Sequence, residues 1–140
     1  MKPAAHVATS AVAACAIGLC MQSTGAAIAC LVSGILIDLD HLLDYYLFKG
    51  FTLSYRKFSE AIYKSTLPRF ILIFHSYELI VFLWVLVLFG AGVGPVGLGV
   101  VIGMTLHILL DQIFNKHQPY AYFFIYRALR GFKTEAIFVP

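Results

Sequence analysis

Four long apolar runs, joined by two short turns and one polar loop, constrain this chain more than any other feature. They cover about 4–21, 25–48, 68–89 and 96–114 of the 140 residues. At 1.5 Å per helical residue, about 20 residues cross the ~30 Å hydrocarbon core of a bilayer. Lipid offers no hydrogen-bond partner, so a spanning segment must pair its own backbone and therefore be helical. The expected fold class is all-α: a polytopic membrane protein, a four-transmembrane-helix bundle forming one integral membrane domain over residues 1–140. Composition agrees, with only 12% of residues charged and a mean hydropathy of +0.87, against about 25% charged in a soluble domain.

Two further stretches read as interfacial. In 51–66, Tyr55, Phe58, Ile62 and Tyr63 recur at helical spacing with Arg56, Lys57 and Lys64 between them, as in a helix lying on a membrane surface. In 119–130, aromatics alternate with Arg127 and Arg130, as in an aromatic belt. The first run imitates a secretory signal, and Val12–Cys15 a lipoprotein cleavage site. A second run follows after only a four-residue turn, Gln22–Gly25, so a retained anchor fits better. Cys15, Cys20 and Cys30 lack metal-site spacing and read as small buried residues. Gly99 and Gly103 form a small-xxx-small pair, suited to close helix contact within one chain or in a homo-oligomer.

With four spans, both termini and the 49–69 loop share one side. All ten basic residues then fall on that side, and the turns 22–24 and 90–95 opposite carry no charge. By the positive-inside rule the basic side is cytoplasmic. The ionisable residues of the runs gather there too. His6 opens the first run, and Asp38, Asp40, His41 and Asp44 close the second within Leu36–Tyr46. His75 and Glu78 follow the start of the third, and His107 and Asp111 close the fourth. Carboxylates and imidazoles beside hydrocarbon are costly unless paired, protonated or bound to a cation. One shared site between the helices is the expectation.

The spacings suit metal ligation. His107 and Asp111 are four apart; His75 and Glu78, like Asp38 and His41, are three apart, so each pair shares a helix face. Asp38 and Asp40 point roughly 200° apart on a regular helix. Both can bind one ion only where the helix is interrupted, and otherwise one of them orients a ligand. The set holds imidazole and carboxylate without thiolate, which suits zinc first, then manganese or iron, with a two-metal centre open. The candidate ligands are His6, Asp38, Asp40, His41, His75, His107 and Asp111. Glu78, or the spare aspartate (Asp38 or Asp40), is the candidate general base. His117 lies outside the pattern and reads as solvated. Asp44 reads as a cap or a partner of Lys49 or Arg56, and Tyr45 and Tyr46 as belt residues.

At these residues the chain resembles the small bacterial inner-membrane proteins described as membrane-bound metal-dependent hydrolases, the YdjM-like family. The shared features are His6 followed by small residues, the G-x-L-x-D-x-D-H core at Gly34–His41, His75-Ser76, and His107-x-x-x-Asp111. The chain departs from the family pattern at Ile37, where the family has proline, and at Phe70-Ile71, where it has His-Arg. The resemblance implies a metal site formed by His6, Asp38, Asp40, His41, His75, His107 and Asp111, hydrolase activity, and an inner-membrane location.

The functional expectation is a metal-dependent hydrolase at the cytoplasmic interface, acting on a lipid-like ester or phosphoester among membrane lipids. No nucleic-acid motif is present. Two other classes remain open: a cation- or proton-translocating, transporter-associated protein, and a non-catalytic membrane scaffold.

Overall fold

The structure is a computed structural model, described over residues 3–90 and 93–138. Lys2, and Ala91 and Gly92 of the turn expected at 90–95, lie outside the described residues. The fold is helical: α1 (Pro3–Met21), α2 (Thr24–Leu36), α3 (Leu39–Lys49), α4 (Tyr55–Tyr63), α5 (Tyr77–Leu88), α6 (Gly94–Phe114), α7 (Phe124–Leu129) and a 3₁₀ turn at Thr134–Ala136. Among the described residues only isolated bridges, Arg69 to Lys133 and His117 to Phe138, resemble sheet pairing. Among the described residues, three stretches are long and apolar enough to cross a membrane: Ala4–Met21, Thr24–Lys49 and Gly94–Phe114. The chain divides into two compact units, Met1–Ile37 with Glu78–Asn115 and Asp38–Tyr77 with Lys116–Pro140.

In the first unit, α1, α2 and α6 pack on one another. The Gly99/Gly103 pair makes the close approach. A Cβ at Gly99 would stand 2.3 Å from the Ala26 carbonyl oxygen, and one at Gly103 would stand 2.3 Å from that of Cys30. The small-residue face therefore meets α2 of the same chain. The Ser33 hydroxyl donates to the Val100 carbonyl at 3.0 Å, and the Trp84 indole N–H reaches the Thr105 hydroxyl at 3.1 Å, tying α5 to α6. Ser23 caps α2 by accepting from the Ala26 N–H. Of the cysteines only Cys30 is buried; Cys15 and Cys20 are exposed on α1.

In the second unit, Tyr45, Ala61, Leu67, Phe70, Leu72, Ala121 and Ile137 form a hydrophobic core. Tyr45 is therefore a core residue and not an interfacial one; its ring meets Phe58 edge-on at 5.6 Å. The amphipathic reading of 51–66 corresponds to α4. Ser54 caps it, Ala61 faces the core, and Tyr55 and Tyr63 are exposed. On its outer face Lys64 bonds Glu60 and holds that carboxyl below its ordinary range. Gly50, at φ 83°, ends α3 in a conformation that side chains resist. His117 is half-buried, its ring edge-on to Tyr122 at 4.8 Å, rather than solvated.

Two interruptions depart from regular spans. The second run is divided at Ile37-Asp38, where the His41 N–H bonds the Asp38 carbonyl three residues back and tightens the turn. In the third run, helix begins at Tyr77 and not at Pro68. α5 has 12 residues, about 18 Å, short of a full crossing by itself. The cause lies in α3. Asp44 accepts from the Ile71 and Leu72 amides at 2.7 and 3.2 Å, and Asp40 accepts from the Phe74 and His75 amides. Amides drawn to carboxylates do not build a helical ladder.

Candidate metal centres

His6 is supplied by α1, and His107 and Asp111 by successive turns of α6. All three are buried, at 4%, 1% and 3% exposure. The two imidazoles stack, with centroids 3.9 Å apart and planes 15° from parallel. Their Nε2 atoms flank one carboxylate: His6 stands 3.0 Å from Asp111 Oδ1, and His107 3.5 Å from Asp111 Oδ2. His107 Nδ1 lies 2.8 Å from the Gly34 carbonyl oxygen. Gly34 sits in the last turn of α2, where carbonyls lose their helical partners. A carbonyl only accepts, so Nδ1 carries the proton and a neutral His107 keeps its lone pair on Nε2. That lone pair then stands 3.5 Å from Asp111 Oδ2, with both residues buried. A proton or a cation between the two groups would stabilise this arrangement. Opposite it, His6 Nδ1 is buried without a hydrogen-bond partner.

The second cluster repeats this logic within the other unit. Asp38 precedes α3, His41 lies in its first turn, and His75 lies in the non-helical segment, two residues before α5. Asp38 Oδ1 is 3.8 Å from His41 Nε2 and 3.7 Å from His75 Nε2. His75 Nδ1 meets Asp40 Oδ2 at 3.2 Å. Asp40 Oδ2 already accepts from two backbone amides, so His75 carries its proton on Nδ1 and turns Nε2 towards a different aspartate. This is the carboxylate–histidine arrangement that orients metal ligands. Separations of 3.7 and 3.8 Å are long for hydrogen bonds. They are close to the ~3.4 Å between ligand atoms set ~2.1 Å from a tetrahedral ion. This cluster is open: the Asp38 side chain is 36% exposed and that of His41 19%.

In each triad, one ligand atom per residue lies within 4.8 Å of the other two. Six of the seven candidate ligands thus occur in two groups, three in each unit. The seventh, Asp40, is placed behind His75, its Oδ2 engaged by two backbone amides and one imidazole. Glu78 is half-buried in the first turn of α5 and belongs to neither triad.

Asp44 and Arg127 have roles the spacing did not suggest. Asp44 is buried beneath residues 71–72 rather than paired with Lys49 or Arg56. Arg127, fully buried, donates from Nη2 to the Leu72 carbonyl at 2.9 Å. With Asp40, they hold the segment that carries His75. A signal was available: Asp40 and Asp44 are like charges one turn apart on α3, a repulsive pair unless donors converge on it.

No protein-family model matches the chain, and neither does any curated protein or solved structure with which it was compared.

Proposed function

We propose that this chain is a divalent-metal-dependent hydrolase of the membrane, of the kind the YdjM-like resemblance implies. It would work at the cytoplasmic face of a bacterial inner membrane on a lipid-like ester or phosphoester. The observation that carries the reading is the repeated ligand geometry. In both units an imidazole has its Nδ1 proton held by a fixed acceptor, the Gly34 carbonyl or the Asp40 carboxylate, and its Nε2 turned to a different residue's carboxylate within ligand distance. The donor set is imidazole and carboxylate, which favours zinc, with manganese or iron next.

The two triads would divide the work. His6, His107 and Asp111 are closed to solvent, as structural sites are; Asp38, His41 and His75 leave a side open, as catalytic sites do. An ion in the open triad would lower the pKa of a water molecule and polarise the ester. Asp40 fixes the His75 tautomer through Oδ2, which two backbone amides and the imidazole engage. Glu78, or Asp38, is proposed as the general base.

The proposed topology keeps four crossings, with residues 68–76 and α5 together making the third. Non-helical backbone at membrane depth is tolerated where protein groups satisfy it. Here Asp40 and Asp44 take four of its amides. Both termini would then be cytoplasmic.

A scaffold reading rests on the same triads: protonated imidazoles paired with Asp111 and Asp38 would lock each unit without an ion. Elemental analysis of purified protein separates the two. The metal reading expects at least one equivalent, reduced by His107→Ala or His41→Ala. Less than half an equivalent, unchanged by either substitution, refutes it.

A further inference from the structure

A surface cleft in the second unit, remote in composition from the triads, has its own chemistry. It encloses about 680 Å³ and is lined among others by Gln118, Tyr126, Leu129, Arg130, Lys133 and Glu135. That volume falls within the about 300–1,000 Å³ of small-molecule sites. None of the triad residues lines it. The Arg130 guanidinium lies over the Tyr126 ring, 5.6 Å from its centroid, which fixes one cation at the wall. Lys133 supplies a second, and Glu135 is the single carboxylate, so the named lining carries a net charge of +1. The edge of the cleft is apolar. Leu129, which lines it, is 83% exposed; Ile125, one turn earlier on α7 and outside the lining, is 63% exposed. Two cations beside an apolar rim fit an amphiphile with an anionic head, and among the described residues three helical stretches are long and apolar enough to cross a membrane.

We infer that this cleft binds the phosphate headgroup of an anionic membrane lipid. Arg130 and Lys133 hold the phosphate, Leu129 and Ile125 lie along the acyl chains, and Glu135 accepts from headgroup hydroxyls. A glycerol-bearing headgroup such as that of phosphatidylglycerol satisfies all three. The site is independent of metal.

The test uses the full chain, treated with chelator, in neutral detergent micelles. A tail-labelled phosphatidylglycerol is titrated, with phosphatidylcholine and inorganic phosphate as competitors. The expected result is a preference of at least tenfold for phosphatidylglycerol over phosphatidylcholine. The double variant Arg130→Ala/Lys133→Ala weakens binding roughly 30-fold, from about a fivefold contribution per cation near a membrane surface. Lys57→Ala/Lys64→Ala, which removes the same charge from α4, changes it less than threefold. Lys133→Gln alone, at an exposed position, gives an intermediate loss and guards against misfolding of the double variant. Equal binding of the two lipids, or equal losses in the two double variants, overturns the inference. Displacement of the lipid by micromolar inorganic phosphate assigns the cleft to a soluble anion and overturns the lipid source.

Discussion

Asp40→Asn separates a ligand from a residue that positions one. The substitution keeps shape and one acceptor oxygen but removes the charge. In the structure that charge faces three donors: the Phe74 and His75 amides and His75 Nδ1. Bonds to charged groups contribute about 1.5–3 kcal/mol and neutral ones about 0.5–1.5. Because the three donors share one oxygen, their losses do not sum fully, and about 2–3 kcal/mol of stability should go. Domains with about 5–15 kcal/mol in hand survive that. The imidazole also loses the partner that makes Nε2 a better donor to metal, an effect worth about 10–100-fold in affinity. The expected result is therefore a folded protein with unchanged metal stoichiometry and affinity down by that factor. The assays are competitive titration with a chromophoric chelator and thermal unfolding in detergent. Loss of a whole equivalent would make Asp40 a direct ligand, and unchanged affinity would dismiss it from the site; either result refutes the positioning role.

Other perturbations have distinct readouts. Chelation should remove metal in two kinetic phases, because one triad is buried and the other open; His107→Ala should abolish the slow phase and His41→Ala the fast one. Asp44→Ala should lower stability by about 2–4 kcal/mol, since it strands the Ile71 and Leu72 amides in a buried setting, and this is read by thermal unfolding. Gly103→Ala should destabilise by about 1–3 kcal/mol or more, because its methyl meets the Cys30 carbonyl; Trp84→Phe, losing one hydrogen bond, should cost only about 1 kcal/mol. Glu78→Gln should suppress hydrolysis of a model phosphodiester at least a hundredfold while leaving metal content intact.

Hydropathy alone made the helical class legible, and glycine spacing marked Gly99 and Gly103 for close helix contact without naming α2 as the partner. The same periodicity misread residues 68–76. Pro68 followed by apolar residues has every local mark of a helix start. What overrides them is non-local: two carboxylates about 30 residues earlier take the amides that a helix would use. Local propensity carries no information about such partners. For the same reason Asp44 looked like a cap. The turn at Ile37-Asp38 was nearer to being legible, because Asp38 and Asp40 cannot serve one ion from a regular helix.

The departures from regular helix are also where the candidate chemistry arises. A continuous helix at Ile37-Asp38 would consume the last carbonyls of α2, and His107 would lose the acceptor that sets its tautomer at Gly34. A helix from Pro68 would consume the amides of Phe74 and His75, and Asp40 would no longer fix the His75 backbone and ring together. Each break releases backbone groups, and some of these, the Gly34 carbonyl and the Phe74 and His75 amides, engage a histidine or the aspartate that orients one. Polar side chains that only joined helices would gain nothing from interrupting them. The breaks therefore favour oriented ligands over stray polar contacts. Restoring helix is the corresponding perturbation: replacing Ile71–Phe74 by alanines should extend α5 by circular dichroism and release metal from the open triad first.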